Sequence, residues 1–112
     1  MKGKYHVADK SKRTYNGIVF DSSMEMRYYV EIVLPGVANG SIIDYELQKP
    51  YELQPKFKRN GKTILSVKYV ADFWIKYKDG HEQIIDVKGM ADTTALLKRK
   101  LMWYKYPELD YI

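Results

Sequence analysis

Apolar residues early in the chain recur at helical spacing. After Asp21, Met26, Tyr29, Val30 and Val33 fall on one face, with Ser22 at the cap position and Glu25 three residues later. Pro35-Gly36 is expected to stop this helix. The period then changes to two: over residues 41–48, Ile43, Tyr45 and Leu47 alternate with Asp44, Glu46 and Gln48, which predicts a strand. Lys49-Pro50 should interrupt it, and Tyr51, Leu53 and Phe57 suggest another extended piece. Asn60-Gly61 signals a tight turn. The β-branched and aromatic run over 63–77 predicts a strand long enough to bend or twist. Lys78-Asp79-Gly80 is a second turn, residues 83–88 complete a hairpin, and Gly89 ends it. Asp92 or Thr93 then caps a second helix, whose buried stripe is expected at Leu97, Leu101 and Tyr104 before Pro107. A short strand over 109–112 closes the chain.

This order predicts an α/β fold (αβββαβ) in which a central mixed, mostly antiparallel sheet is flanked by two helices. Residues 1–17 carry Lys2, Lys4, Lys10, Lys12 and Arg13 with little apolar periodicity, and read as a basic arm ahead of one domain over 18–112.

Composition narrows the classes. With 46% apolar residues and eleven Tyr, three Phe and two Trp, the 112-residue chain has the material for a core and is not a disordered tail. Nineteen Lys and Arg against fourteen Asp and Glu give +5, a balance that serves solubility and also suits a polyanionic partner. The absence of cysteine removes disulfides, thiolate zinc sites and cysteine nucleophiles. No apolar run approaches the ~20 residues of a membrane span, and the N-terminus lacks a signal-peptide core. A soluble, cytoplasmic protein that does not engage membranes is expected.

The candidate chemistry sits in Val70-Ala71-Asp72-Phe73-Trp74 and, fourteen residues after Asp72, in Asp86-Val87-Lys88-Gly89. Asp86 and Lys88 share a strand face, and pairing of the two strands brings Asp72 alongside. Two carboxylates and an ammonium converging at a hairpin suit a hard divalent cation and a phosphodiester. The competing reading makes Asp72 an exposed residue of a one-sided sheet, in step with Ser66 and Lys68, and Lys88 a solvated charge. Gln48 and Gln54 could reach the same region, although strand glutamines are more often surface polar residues. His6 and His81 are isolated and lack zinc-site spacing. Lys98, Arg99 and Lys105 fall on one arc of the second helix and, with Lys12 and Arg13, are candidates for phosphate contact; a solvated basic face is the alternative. Trp103 and the tyrosines could stack on bases, but suit core packing better.

Asp72 followed by Asp86-Val87-Lys88 resembles the signature of the PD-(D/E)XK nuclease superfamily, which includes many restriction enzymes, repair nucleases and phage junction-resolving endonucleases. Residues 20–112 also resemble a small phage and prophage branch of it, described as unknown in function or as Holliday-junction-resolvase-like. The matching segments are Phe20-Asp21-Ser22-Ser23-Met24-Glu25, the Glu-Leu-Gln repeats at 46–48 and 52–54, Tyr69-Val70-Ala71-Asp72-Phe73, Asp86-Val87-Lys88-Gly89 and Tyr104-Lys105-Tyr106-Pro107. Ala71 stands where the signature's name has proline.

The resemblance implies a restriction-endonuclease-like core and metal-dependent DNA cleavage in a bacterial host cell. It implies that Asp72 and Asp86 hold Mg²⁺ or Mn²⁺ with the Val87 carbonyl, and that Lys88 positions the attacking water or stabilises charge on the phosphate. It also implies an acid on the first helix, at Glu25, with Glu31 as the weaker alternative; on the residues alone, Glu25 is read as half of a capping box with Ser22. The implied substrate is branched DNA, and paired cuts in a four-way junction call for a homodimer. The competing functions are a non-catalytic nucleic-acid-binding module on the same scaffold and a small interaction protein.

Overall fold

The computed structural model of the chain describes residues 9–87 and 92–111, Tyr111 by its backbone alone. Lys88 and Gly89 of the expected motif, and Lys2, Lys4 and His6 of the leading segment, lie outside the described residues.

A 3-10 turn at Lys10–Arg13 leads into a two-residue ladder of β1 (Thr14–Tyr15) and β2 (Ile18–Val19). The first helix follows in three pieces: α1 (Ser23–Tyr28), a π-helical segment (Tyr29–Val33) and α2 (Leu34–Asn39). It does not stop at Pro35-Gly36 as expected. Proline has no N–H to donate, and its ring crowds the carbonyl one turn back. Just before it the helix widens, with the Leu34 N–H reaching back to the Tyr29 carbonyl. The helix ends instead at Gly40, in the left-handed conformation with φ 85°.

Strand β3 (Ile42–Gln54) pairs antiparallel with β6 (Val67–Tyr77), and β6 pairs antiparallel with β7 (Glu82–Ile85). After α3 (Thr93–Lys105) the chain returns as β8 (Asp110–Tyr111), parallel to β7, giving the sheet order β3-β6-β7-β8. The result is a mixed, mostly antiparallel sheet with two helical regions, an α/β architecture. Pro50 does not interrupt β3; it pairs in register with Val70. β3 is the edge strand, where a missing N–H need not break a ladder. The run expected as one strand over 63–77 is divided at Leu65-Ser66. Its first part, β5 (Lys62–Ile64), forms a separate hairpin with β4 (Phe57–Arg59). Asn60 and Gly61 both have positive φ (50° and 76°), which a two-residue type I′ turn requires.

Two apolar clusters hold the sheet. Tyr29 and Val33 of the first helix pack with Phe20, Ile42, Phe73, Ile75 and Ile85. Gly36 lets the helix approach β3 closely, because a Cβ there would lie 2.4 Å from Ile42 Cδ1. The second cluster joins Tyr51, Leu53, Tyr69, Ala71 and Ile84 to Met102 of α3. Asp92 caps α3 by accepting the Ala95 N–H at 2.7 Å. The stripe that α3 buries is not the one expected. Met102 is buried and Leu101 partly so, whereas Leu97 and Tyr104 are 56% and 85% exposed. The helix meets the sheet near its C-terminal end, where Tyr106 packs edge-on against Tyr51 and donates its hydroxyl to the Glu52 carbonyl at 3.1 Å. Among the described residues, no helix is long and apolar enough to cross a membrane.

Candidate functional site

The site forms where β6 and β7 part. Their ladder ends at the Phe73–Ile85 pair, so the next residues, Asp72 and Asp86, leave it together. β7 is shorter than expected, ending at Ile85 instead of reaching residue 88. Asp72 accounts for this: its Oδ2 accepts the Val87 N–H at 2.9 Å, so a side chain satisfies a donor that the ladder would have used. The hairpin thus brings Asp72 to the segment carrying Asp86 and Val87. The Asp86 carboxylate is approached by the Tyr69 hydroxyl, at a long 3.5 Å.

Glu25 comes from the first turn of α1 and is 1% exposed. Its cap role and its side chain are separate. Ser22 Oγ accepts the Glu25 backbone N–H at 3.1 Å, which caps the helix. The Glu25 carboxylate accepts the Gln48 side-chain amide at 2.8 Å. A carboxylate this deeply buried needs donors or a cation to offset lost hydration, and Gln48 supplies one donor. Glu31 is exposed on the helix surface.

Gln48 is the residue the sequence undervalued. The register sets Leu47 against Phe73 and Lys49 against Ala71, which leaves Gln48 across from Asp72. Its φ of 50° is left-handed, which costs a non-glycine residue in a strand and is sustained only when its surroundings require it. The alternation Tyr45-Glu46-Leu47-Gln48 carried no sign of this turn of the backbone; the cross-strand partner alone reveals it. Gln54, by contrast, pairs with Val67 at the other end of β3 and does not line the site.

Glu25, Gln48 and Asp72 line one cavity of about 150 Å³, closed on other sides by Phe20, Asp21 and Leu47. Oxygen donors of this kind suit a hard cation such as Mg²⁺, which is commonly held by one or two carboxylates and completes its shell with water and substrate phosphate. The donor chemistry therefore fits, with the pair Glu25 and Asp72 as its protein part. Among the described residues, no three of His, Cys, Asp and Glu are gathered closely enough to hold a metal ion by themselves. Behind Phe20 of the cavity wall packs the Tyr29 ring, whose hydroxyl meets that of Tyr45 at 3.2 Å. The hydrogen bond with Tyr45, then burial, pushes the Tyr29 hydroxyl up to about 12, so Tyr29 stays neutral at physiological pH.

The basic candidates have different surroundings. Arg13 donates from Nη1 to the Phe20 carbonyl at 2.6 Å, fastening the leading turn to the residue after β2, while Lys12 is exposed. Lys105 donates to the Leu53 carbonyl at 3.4 Å and so helps seat the end of α3. Arg99 lies beside Leu96, Leu97 and Trp103 in a shallow apolar groove, not on an arc opposite the apolar residues; Lys98 is half-buried.

No curated protein and no solved structure gives a significant match to the chain. Residues 2–112 match the model of the family described as "Protein of unknown function (DUF1064)", and the chain belongs to that family.

Proposed function

We propose that the chain is a metal-dependent DNA endonuclease with a restriction-endonuclease-like core, acting on branched DNA as a homodimer. One observation carries the reading: Glu25, Gln48 and Asp72, from a helix and two strands, converge on one cavity beside the Asp86-Val87 segment. Glu25 and Asp72 would hold Mg²⁺ or Mn²⁺. A cation bound there supplies Lewis acidity toward the phosphodiester.

The chain's own groups prepare that site. The Gln48 amide orients the Glu25 carboxylate, and the Val87 N–H orients that of Asp72, so each is aimed before substrate arrives. Asp86 stands one residue before that N–H, and its 3.5 Å contact with Tyr69 is weak enough to exchange for a cation. Lys88, two residues further, is assigned to position the attacking water. Glu25 is 1% exposed, so little bulk water competes for its carboxylate. Symmetric cuts across a four-way junction require two copies related by a two-fold axis.

The test is cleavage of labelled four-way junction, flap and linear duplex DNA with Mg²⁺ or Mn²⁺. Asp72→Asn and Glu25→Gln should each lower cleavage by about 10²–10³-fold or more. Both should bind DNA in EDTA at least as well as wild type, since each removes a charge that repels phosphate. Folded wild type that cuts none of these substrates, or variants that cut like wild type, would sink the reading.

A further inference from the structure

The net charge of this chain has an address. From residue 53 to residue 71 there is no acidic residue, while Lys56, Lys58, Arg59, Lys62 and Lys68 supply five positive charges. The rest of the chain balances at fourteen of each sign, so the whole +5 resides in this stretch. Lys68 pairs across the strands with Glu52, but the other four lie on or beside the β4–β5 hairpin, where every residue from Pro55 to Thr63 is exposed.

The arrangement of the charges is as telling as their number. Arg59 and Lys62 sit directly opposite each other beside the turn, a like-charge cross-strand pair that weakens an isolated hairpin. Folding alone gives no reason to place them there; a polyanion between them removes the penalty. Lys58, next to Arg59, points to the other side of the ribbon. Cations therefore flank the ribbon on both sides, as is needed by an element lying between two rows of phosphates. A two-stranded ribbon fits the major groove of a duplex. The turn residues Asn60 and Gly61 are short, so the ribbon carries charge for backbone contact and little for reading bases. Apart from Phe57 the hairpin has no aromatic ring, which disfavours single-strand stacking.

We infer that the β4–β5 hairpin is a duplex-DNA grip, with Lys56, Lys58, Arg59 and Lys62 contacting phosphates on the two walls of a groove. This rests on the reading of DNA as the substrate, but not on the chemistry at Glu25 and Asp72. It does not draw on Lys98, Arg99 or Lys105.

The test is equilibrium binding of the full chain to a labelled linear duplex in EDTA, across salt concentrations. Lys56→Gln, Lys58→Gln, Arg59→Gln and Lys62→Gln combined should flatten the slope of log K against log salt by about 3 to 4, at roughly 0.9 per lost phosphate contact. Arg59→Glu sets a carboxylate opposite Lys62, so it should weaken binding by about tenfold while leaving the melting temperature unchanged or higher. That separates lost binding from lost folding. An unchanged slope in the fourfold variant overturns the grip, as does wild type that binds only single strands or no DNA. Hairpin-dependent binding without cleavage keeps the grip and removes the nuclease. Cleavage and binding that the four substitutions leave intact do the reverse.

Discussion

The two helical regions are attached to the same sheet in different ways. The first, from Ser23 to Asn39, buries Glu25, Tyr29, Val33 and Gly36, one residue per turn along its length. The last, α3, buries Met102 and leaves Leu96, Leu97, Trp103 and Tyr104 exposed. The first is laid flat on β3 and β6, held at a distance set by Gly36 against Ile42. The second is pinned near one end by Met102, by the Lys105–Leu53 contact and by Tyr106 against Tyr51. A helix held along its length can place a carboxylate to within a hydrogen bond, as it does Glu25 against Gln48. A helix pinned at one end cannot, and none of the residues lining the cavity comes from α3.

Substitutions can break or sharpen this contrast. Met102→Ala should have the largest effect, about 2–5 kcal/mol at a fully buried position. Because α3 has few other anchors, its amides should exchange faster than those of the first helix. Equal acceleration in both helices would mean that they unfold as one unit. Gly36→Ala comes next. The added methyl must displace Ile42, at about 1–3 kcal/mol, partly offset by roughly 1 kcal/mol of helix propensity. A variant more stable than wild type by chemical denaturation would show that the close approach is relaxed in solution. Leu97→Gln should be smallest, within about 0.5 kcal/mol, because the side chain is already mostly in water. A larger loss would reveal that something covers that face.

Legibility in the sequence varies by residue. The cap at Ser22, the turn at Asn60-Gly61 and the proximity of Asp72 to the Asp86 segment follow from short-range rules, and the structure contains all three. The ends of elements were less legible. Proline rules would stop the first helix at Pro35, but a π-helical segment accommodates it; they would interrupt β3 at Pro50, but an edge position tolerates it. The expected apolar stripe of α3 differs from the buried one because Leu97, Leu101 and Tyr104 have helical spacing whether or not a sheet lies beneath them.

By itself, then, the sequence determined what depends on neighbours in the chain: which segments are helical or extended, where the tight turns fall, and where the charge lies. Hydrophobic period, capping residues and turn residues act over a few positions, so they can be read in order along the chain. Only the tertiary structure decided that Gln48 takes a left-handed conformation to meet Glu25, that Asp72 ends β7 by holding the Val87 N–H, and that Met102 is the residue α3 buries. Each of these depends on a partner many residues away in sequence. No local pattern encodes which of several chemically similar groups the packed sheet will bring within hydrogen-bond reach.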